Sequence, residues 1–141
     1  PVSIALAQAA NESGWGTSRF ALEGNALFGQ WTWSKQGLSP KNLDPDENHR
    51  VLQFQILKAS VRAYKNNLNT HGGYREFREV RAQLRQKGKQ ITGLDLTKYL
   101  KNYAANEKYT KILERLIEQN SLTDFDKANL MPMTSKIGIA L

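Results

Sequence analysis

The sequence has no cysteine among its 141 residues, which excludes disulfide bonds and thiolate metal sites. Its two histidines, His49 and His71, are too few and too far apart in the chain to predict a zinc centre. No apolar run approaches the roughly 18 residues that a membrane-spanning helix needs, and no signal-peptide pattern is visible. Because the chain starts at Pro1 without an initiator Met, we expect a fragment of a longer protein, and the missing signal then says nothing about location.

Composition and charge are those of a globular protein with an excess of basic residues. Hydrophobic residues make up 40% and charged residues 23%, and the length predicts a single domain over residues 1–141 with a core of its own. The formal net charge is +7. Such a charge serves solubility or attracts a polyanion, which could be nucleic acid, anionic lipid or a cell-wall polymer. Charge alone does not distinguish these partners.

The stretch from Ala5 to Gly29, ALAQAANESGWGTSRFALEGNALFG, carries the most specific pattern in the chain. Small, helix-favouring residues predict a helix over residues 1–12, with Gln8 and Glu12 one turn apart on the same face. The glycines on either side of Trp15 then end the helix. A carboxylate at the negative end of the helix dipole is disfavoured in its charged form, which suits an acid that donates a proton.

This stretch resembles the glucosaminidase family of peptidoglycan hydrolases, of the glycoside hydrolase family 73 type. That family reads approximately A-x-A-Q-A-x-x-E-S-G-W-G-x-S, then N-x-F-G, and the first part matches from Ala5 to Ser18. Asn25-Ala26-Leu27-Phe28-Gly29 is one residue longer than the second part, as in the Bax-like branch. SVRAYKNNLNTHGGYREFR is similar to that branch, and YAANEKYTKIL resembles the family's Tyr-Ala-x-x-x-x-Tyr element. The similarity covers most of residues 1–118.

Apolar spacing predicts a mainly helical chain with a small β part. Helices are expected at 56–70, 74–87, 94–100 and 107–119, with a short helix within 13–24. Trp31 to Trp33 and Val51 to Gln55 are expected as strands that flank a polar loop. From Ser121 the pattern weakens, and residues 121–141 are expected to be an extended tail. The resemblance implies an α+β, mainly α, lysozyme-like fold with a helical body, a small β-hairpin lobe and a cleft between them.

Each candidate site residue has a structural alternative. Glu12 could be a surface residue that ends a helix, but the resemblance implies a catalytic acid. Phe28 could be core or cleft wall, and Asn25 could cap a turn or shape the cleft floor. The remaining substrate-binding candidates are Gln8, Trp33 and Tyr103. One of Trp31 and Trp33 is expected to point outward as a sugar platform, and Tyr103 is expected to turn its hydroxyl toward Glu12 rather than into the core.

A second catalytic carboxylate is expected from the polar loop, since glycosidases commonly use two. Asp44, Asp46 and Glu47 compete for this role, and all three could be ordinary loop residues. The two aspartates flank Pro45 and suit a turn, so Glu47 is the candidate. The N-acetyl group of the substrate could replace a protein carboxylate.

The implied function is that of an endo-β-N-acetylglucosaminidase, which cleaves β-1,4 bonds after N-acetylglucosamine. The expected partner is peptidoglycan rather than nucleic acid, with peripheral attraction to the envelope, no metal and no cofactor. A periplasmic or cell-envelope location and a monomeric state are expected. A lytic transglycosylase and a non-catalytic glycan-binding module are the alternative classes.

Overall fold

The computed structural model describes residues 1–35, 37–41 and 48–129. Its elements are mainly helices, and a small antiparallel hairpin interrupts them. The α-helices are α1 (Val2–Ser13), α2 (Arg19–Gly24), α3 (Leu57–Thr70), α4 (Arg75–Gln86) and α5 (Tyr109–Gln119), and the strands are β1 (Trp31–Thr32) and β2 (Arg50–Val51). Short 3-10 helices lie at Gly72–Tyr74, Thr97–Leu100 and Leu122–Lys127. This mainly α fold with a small β part is consistent with the lysozyme-like architecture that the resemblance implies.

Helix α1 packs its small residues against the centre of the molecule. Ile4 and Ala7 are buried together with Leu113 and Ile117 of α5. Since alanine side chains are short, the backbone of α1 can approach its neighbours closely. The buried tyrosines and phenylalanines of the rest of the chain complete this core.

The start of α1 is fixed by a residue near the end of the described chain. Asp126 accepts hydrogen bonds from the backbone N–H of Ser3 at 2.8 Å and from its hydroxyl at 2.7 Å. The backbone N–H of Gly93 donates to the same Ser3 hydroxyl at 2.8 Å. A carboxylate at the N-terminus of a helix satisfies free amides and complements the helix dipole. Residues 121–141 are predicted to be an extended tail, but residues 122–127 form a 3-10 helix. Through Asp126, this 3-10 helix holds the start of α1.

The end of α1 is a left-handed turn. Gly14 has φ 56° and ψ 52°, and its N–H donates to the carbonyl of Ala10. Trp15 and Gly16 follow with φ 58° and φ 80°, so three successive residues are left-handed. For a residue with a Cβ this conformation costs roughly 1–2 kcal/mol. The Gly-Trp-Gly break predicted from the sequence is thus confirmed, and it leaves Glu12 in the last turn of the helix.

The hairpin strands are shorter than predicted. Trp31 pairs with Val51 and Thr32 with Arg50, so each strand has two residues instead of the three and five expected. After Val51, the N–H of Leu52 still donates to the carbonyl of Gln30 at 2.8 Å, but the N–H of Phe54 donates to the carbonyl of Gly24 at 2.8 Å. The end of α2 therefore takes the hydrogen bond that a longer hairpin would have used.

The near-helical spacing of Ile56, Leu57, Val61, Tyr64 and Leu68 predicts an apolar stripe on α3, and this prediction is partly wrong. Tyr64 and Leu68 are buried as expected, but Leu57 and Val61 are 50% and 43% exposed. The buried face is Ser60, Tyr64 and Leu68, which follow each other at intervals of four residues. Leu57 and Val61 lie outside that line, so they are exposed to solvent although they are hydrophobic.

Candidate active site

A cleft of about 520 Å³ lies beside the C-terminal end of α1. Residues from several elements line it, including α1, the segment that enters the hairpin, α3 and the loop before α5. The lining residues are Glu12, Phe28, Gly29, Gln30, Trp31, Asn67, Tyr74, Asn102, Tyr103, Ala104 and Ala105. Among the described residues of this lining, Glu12 is the carboxylate.

Glu12 is partly buried, and its two oxygens have different surroundings. Oε1 accepts a hydrogen bond from the hydroxyl of Tyr109 at 2.9 Å and another from Nδ2 of Asn11 at 3.1 Å. Oε2 faces Gly29, where a Cβ, if glycine had one, would lie 3.3 Å from it. One oxygen is therefore held by the protein, and the other is directed at the cleft wall that substrate would reach.

Gly29 leaves room for the carboxyl of Glu12. Its backbone has φ 58°, a conformation in which residues with a Cβ are strained. A side chain here would also press on the carboxyl group from the cleft side. Both effects explain why glycine suits this position.

Beneath Glu12, a hydrogen-bonded chain of buried side chains extends into the core. Nε2 of Gln8 donates to the hydroxyl of Tyr109 at 2.9 Å, and Oε1 of Gln8 accepts from the hydroxyl of Tyr64 at 2.7 Å. Gln8 is 0% exposed, so it cannot contact substrate in this structure. The sequence prediction of Gln8 as a substrate-binding residue is therefore corrected: a helical spacing of four residues puts it beside Glu12, but on the buried side.

The tyrosines around Glu12 are neutral hydrogen-bond donors. Burial raises the pKa of Tyr109 well above its usual range, and the negative charge of Glu12 raises it further. Burial also raises the pKa of Tyr103 and Tyr64, with contributions from neighbouring tyrosines. Tyr103 and Tyr109 are stacked with ring centres 5.7 Å apart. These hydroxyls therefore keep their protons at any pH where the protein works.

Tyr103 lines the cleft, but its hydroxyl has a protein partner. It donates to the backbone carbonyl of Phe28 at 3.0 Å. The ring of Phe28 is 4% exposed and stacks on Tyr64 with ring centres 4.0 Å apart. Tyr103 thus holds the segment that carries Gly29, and Phe28 serves the core while it forms part of the cleft wall.

Asn25 caps a turn, which was the alternative to a place on the cleft floor. It adopts a left-handed conformation with φ 50° directly after α2, and its Nδ2 donates to the carbonyl of Phe54 at 2.9 Å. It is not among the residues that line the cleft. Its predicted place on the cleft floor is corrected to a capping and bridging position, where asparagine tolerates positive φ.

The expectation that one of the two hairpin tryptophans points inward was wrong. Trp31 is 60% exposed and Trp33 is 71% exposed. Trp33 lies beyond the short strand, so strand alternation does not constrain its direction. Trp31 lines the cleft, whereas Trp33, the predicted platform, does not. The ring of Trp31 stacks on the ring of His49, with ring centres 4.2 Å apart. No sequence signal separated the two tryptophans.

Tyr109 is the important residue that sequence reasoning missed. The spacing of the last long helix predicts it as one more apolar residue, together with Ile112, Leu113, Leu116 and Ile117. Its position as the second tyrosine of the Tyr-Ala-x-x-x-x-Tyr element was the available signal. The first tyrosine of that element, Tyr103, was singled out, although Tyr109 is the one that contacts the carboxylate.

The candidates for a second carboxylate, Asp44, Asp46 and Glu47, lie outside the described residues. Among residues 1–35, 37–41 and 48–129, no group of three or more potential metal ligands is found. In the same ranges, no helix is long and apolar enough to cross a membrane.

The spacing of Arg75, Arg78, Arg81 and Arg85 predicts one mostly solvated arginine stripe on α4, but two of the four are less solvated than that. Arg78 donates through Nη1 to the carbonyls of Leu68 and His71 at 3.0 and 2.8 Å. Arg81 lies over the ring of Phe77, 5.4 Å from its centre, and burial lowers its pKa. The other two, Arg75 and Arg85, are exposed. Half of the stripe therefore fastens α4 to the end of α3.

Comparison with known proteins identifies the family of this chain. The family model Glucosaminidase, described as mannosyl-glycoprotein endo-beta-N-acetylglucosaminidase, matches residues 1–122. The chain is 37% identical over 121 residues to the protein named Protein bax from Escherichia coli strain K12. That alignment covers 85% of this chain and 43% of the relative, so the chain spans less than half the relative's length. No solved structure matches significantly. Because the family model matches most of this chain, the chain belongs to the glucosaminidase family.

Proposed function

We propose that this single domain is a peptidoglycan hydrolase that cleaves the β-1,4 bond on the reducing side of N-acetylglucosamine. The observation that carries the proposal is Glu12, a carboxylate in the wall of a cleft with one oxygen fixed by Tyr109 and the other facing Gly29 of the same cleft. Family membership supports a glycan as the substrate. The reaction needs no metal and no cofactor.

Glu12 acts as the general acid. A glycosidic oxygen is a poor leaving group, so bond cleavage requires a proton donor beside it. The outward oxygen, Oε2, donates that proton while positive charge develops on the sugar. Tyr103 keeps the Phe28–Gly29 segment in place, and Trp31 offers an aromatic face to a sugar ring.

Glu47 supplies the second carboxylate, which activates water or stabilises the oxocarbenium-like transition state. In the sequence it follows Asp44 and Asp46, which flank Pro45, and it has a longer side chain than either. The alternative is assistance by the N-acetyl group of the substrate, in which case Glu12 suffices. The two routes differ in whether Glu47 can be replaced without loss of turnover.

The domain works as a monomer on glycan strands in the periplasm or cell envelope. Its charge of +7 favours the anionic polymers of the wall, and nucleic acid is not its partner. Exposed Arg75 and Arg85 contribute to that attraction.

Mass spectrometry of the fragments released from purified peptidoglycan tests the function. We expect fragments that end in a reducing N-acetylglucosamine, and the Glu12→Gln variant serves as the blank. Anhydro-sugar ends would instead identify a lytic transglycosylase. Binding of sacculi without release of fragments by the folded protein would identify a glycan-binding module.

A further inference from the structure

Three hydrogen bonds connect the buried core to Glu12, and their direction can be determined from the buried end. They run from Tyr64 to Gln8, from Gln8 to Tyr109 and from Tyr109 to Glu12, at 2.7, 2.9 and 2.9 Å. Gln8 is 0% and Tyr64 is 5% exposed, so water does not compete for these groups.

Tyr64 sets the direction of the chain. Within the described part of the protein, Oε1 of Gln8 accepts the hydrogen bond from its hydroxyl. If the amide of Gln8 were reversed, the Tyr64 proton would face an N–H donor and remain unsatisfied in the core, which is unfavourable. The amide N–H of Gln8 therefore points to Tyr109. Since the Tyr109 oxygen accepts from Gln8, its own proton is directed to Glu12.

We propose that Gln8 is a positioning residue that, through Tyr109, keeps the catalytic proton on Oε2 of Glu12. Oε1 accepts from both Tyr109 and Asn11, which occupies the two acceptor sites of a carboxyl oxygen. A proton on Oε1 would oppose those donors. The proton therefore stays on Oε2, which faces Gly29 and the cleft. This inference deepens the proposed function and rests on Glu12 being its general acid.

The titratable groups that face Glu12 are tyrosines, and they keep their protons. Burial, and to a smaller extent the charge of Glu12, raises the pKa of Tyr109 in α5, of Tyr103 in the preceding loop and of Tyr74 in the 3-10 helix. All three hydroxyls are neutral near pH 7. The direction of the hydrogen bonds therefore decides which oxygen of Glu12 carries the proton.

Two variants test the proposal. Gln8→Met removes the amide in a side chain of similar length, and Tyr64→Phe keeps the amide but removes the group that orients it. In both, Tyr109 is free to accept a hydrogen bond from the protonated Glu12 carboxyl instead of donating one to it. We expect kcat to fall at least about tenfold with KM changed less than about twofold. Tyr99→Phe, which removes a hydroxyl from a partly buried tyrosine outside the chain, should leave both unchanged.

A second measurement needs no substrate. The carbon-13 NMR signal of the protonated Glu12 carboxyl should move in both variants, because Tyr109 can then accept a hydrogen bond from the carboxyl instead of donating one to it. If Gln8→Met does not fold, Tyr64→Phe decides. An unchanged kcat in a folded variant, or an unmoved carboxyl signal, overturns the proposal. If the wild-type protein releases no glycan fragments, the proposed function fails, and the NMR signal still decides how Gln8 orients Glu12.

Discussion

The hydroxyl of Tyr109 donates a 2.9 Å hydrogen bond to Oε1 of Glu12, although the two residues are 97 positions apart. Glu12 lies in the last turn of α1 and Tyr109 is the first residue of α5. Both helices pack in the same core, so the position of the carboxylate depends on how the whole helical body is assembled. A short motif supplies the acid, and a distant helix orients it.

Glu12→Gln should abolish most of the activity and keep the fold. The amide oxygen of glutamine can still accept from Tyr109, but its other end cannot donate an acidic proton. We expect turnover to fall at least about 100-fold, the usual contribution of a general acid. Thermal unfolding and release of soluble fragments from peptidoglycan measure the two effects. The control is Glu118→Gln, an exposed carboxylate on α5. Near-normal turnover in a Glu12→Gln protein with an unchanged Tm would contradict the assignment.

Glu47→Gln distinguishes the two routes to the products. If Glu47 is the second carboxylate, the variant should lose at least about 100-fold in turnover, while Asp44→Asn and Asp46→Asn lose far less. Full activity of Glu47→Gln would exclude this role and favour assistance by the N-acetyl group. The stereochemistry of the fresh product, measured by NMR, adds a check, since a retaining pair of carboxylates stands about 5–5.5 Å apart and an inverting pair about 6.5–9.5 Å.

Local sequence predicted the main features of the fold and the position of Glu12 at the end of α1. The Gly-Trp-Gly break ended α1 as expected, and apolar spacing located α3, α4 and α5 to within a few residues. Burial was harder to predict, because it depends on which face of each element meets the core. Leu57 and Val61 fitted the spacing but lie outside the buried line of α3. The hydroxyl directions of Tyr103 and Tyr109 depend on partners in distant segments, which no local pattern records.

The exposed arginines of α4 should aid attraction to the wall without entering the reaction. Arg75→Glu combined with Arg85→Glu should weaken sedimentation with cell-wall sacculi at low salt, and the difference should shrink as salt screens the charges. Turnover of a short soluble glycan should not change. Lys111→Glu combined with Arg115→Glu, two exposed residues of α5, has the same net charge and is the matched control. An equal loss in both double variants would mean that net charge, not the arginine stripe, attracts the wall.

The tyrosines with raised pKa values predict unfolding in alkali. Burial raises the pKa of Tyr64, Tyr103 and Tyr109 above the ordinary value, so these hydroxyls lose protons more readily in the unfolded chain. Their contribution to stability is complete below about pH 10 and falls as the pH rises toward the folded-state values. Each contributes a slope of up to about 1.4 kcal/mol per pH unit. Urea unfolding at successive pH values measures the slope.

Tyr103→Phe isolates one member of this set. The variant should reduce the alkaline slope by up to about 1.4 kcal/mol per pH unit, while lysines and other groups titrate as before. At neutral pH it should cost about 1 kcal/mol, since the hydrogen bond to the carbonyl of Phe28 is lost. Tyrosinate absorbance should appear together with unfolding. Absorbance that develops fully in the folded protein would show that these hydroxyls are not protected.

Trp31 and Trp33 form a matched pair for testing the cleft. Both are exposed, at 60% and 71%, so replacing either should change the free energy of unfolding little. Trp31 lines the cleft and Trp33 does not. An aromatic face that stacks on a sugar contributes about 1 kcal/mol, roughly fivefold in affinity. Trp31→Ala should therefore raise KM for a soluble glycan about fivefold, and Trp33→Ala should leave it unchanged.

The stack of Trp31 on His49 needs its own control, because Trp31→Ala also removes that contact. Trp31→Phe retains an aromatic ring for both His49 and a sugar, so it should recover most of the loss in KM. Failure of Trp31→Phe to recover, with His49→Ala reproducing the defect, would mean that Trp31 acts by holding the hairpin. A raised KM in Trp33→Ala with a normal Trp31→Ala would reverse the assignment, and the glycan would then follow the outer edge of the hairpin instead of the cleft beside Glu12.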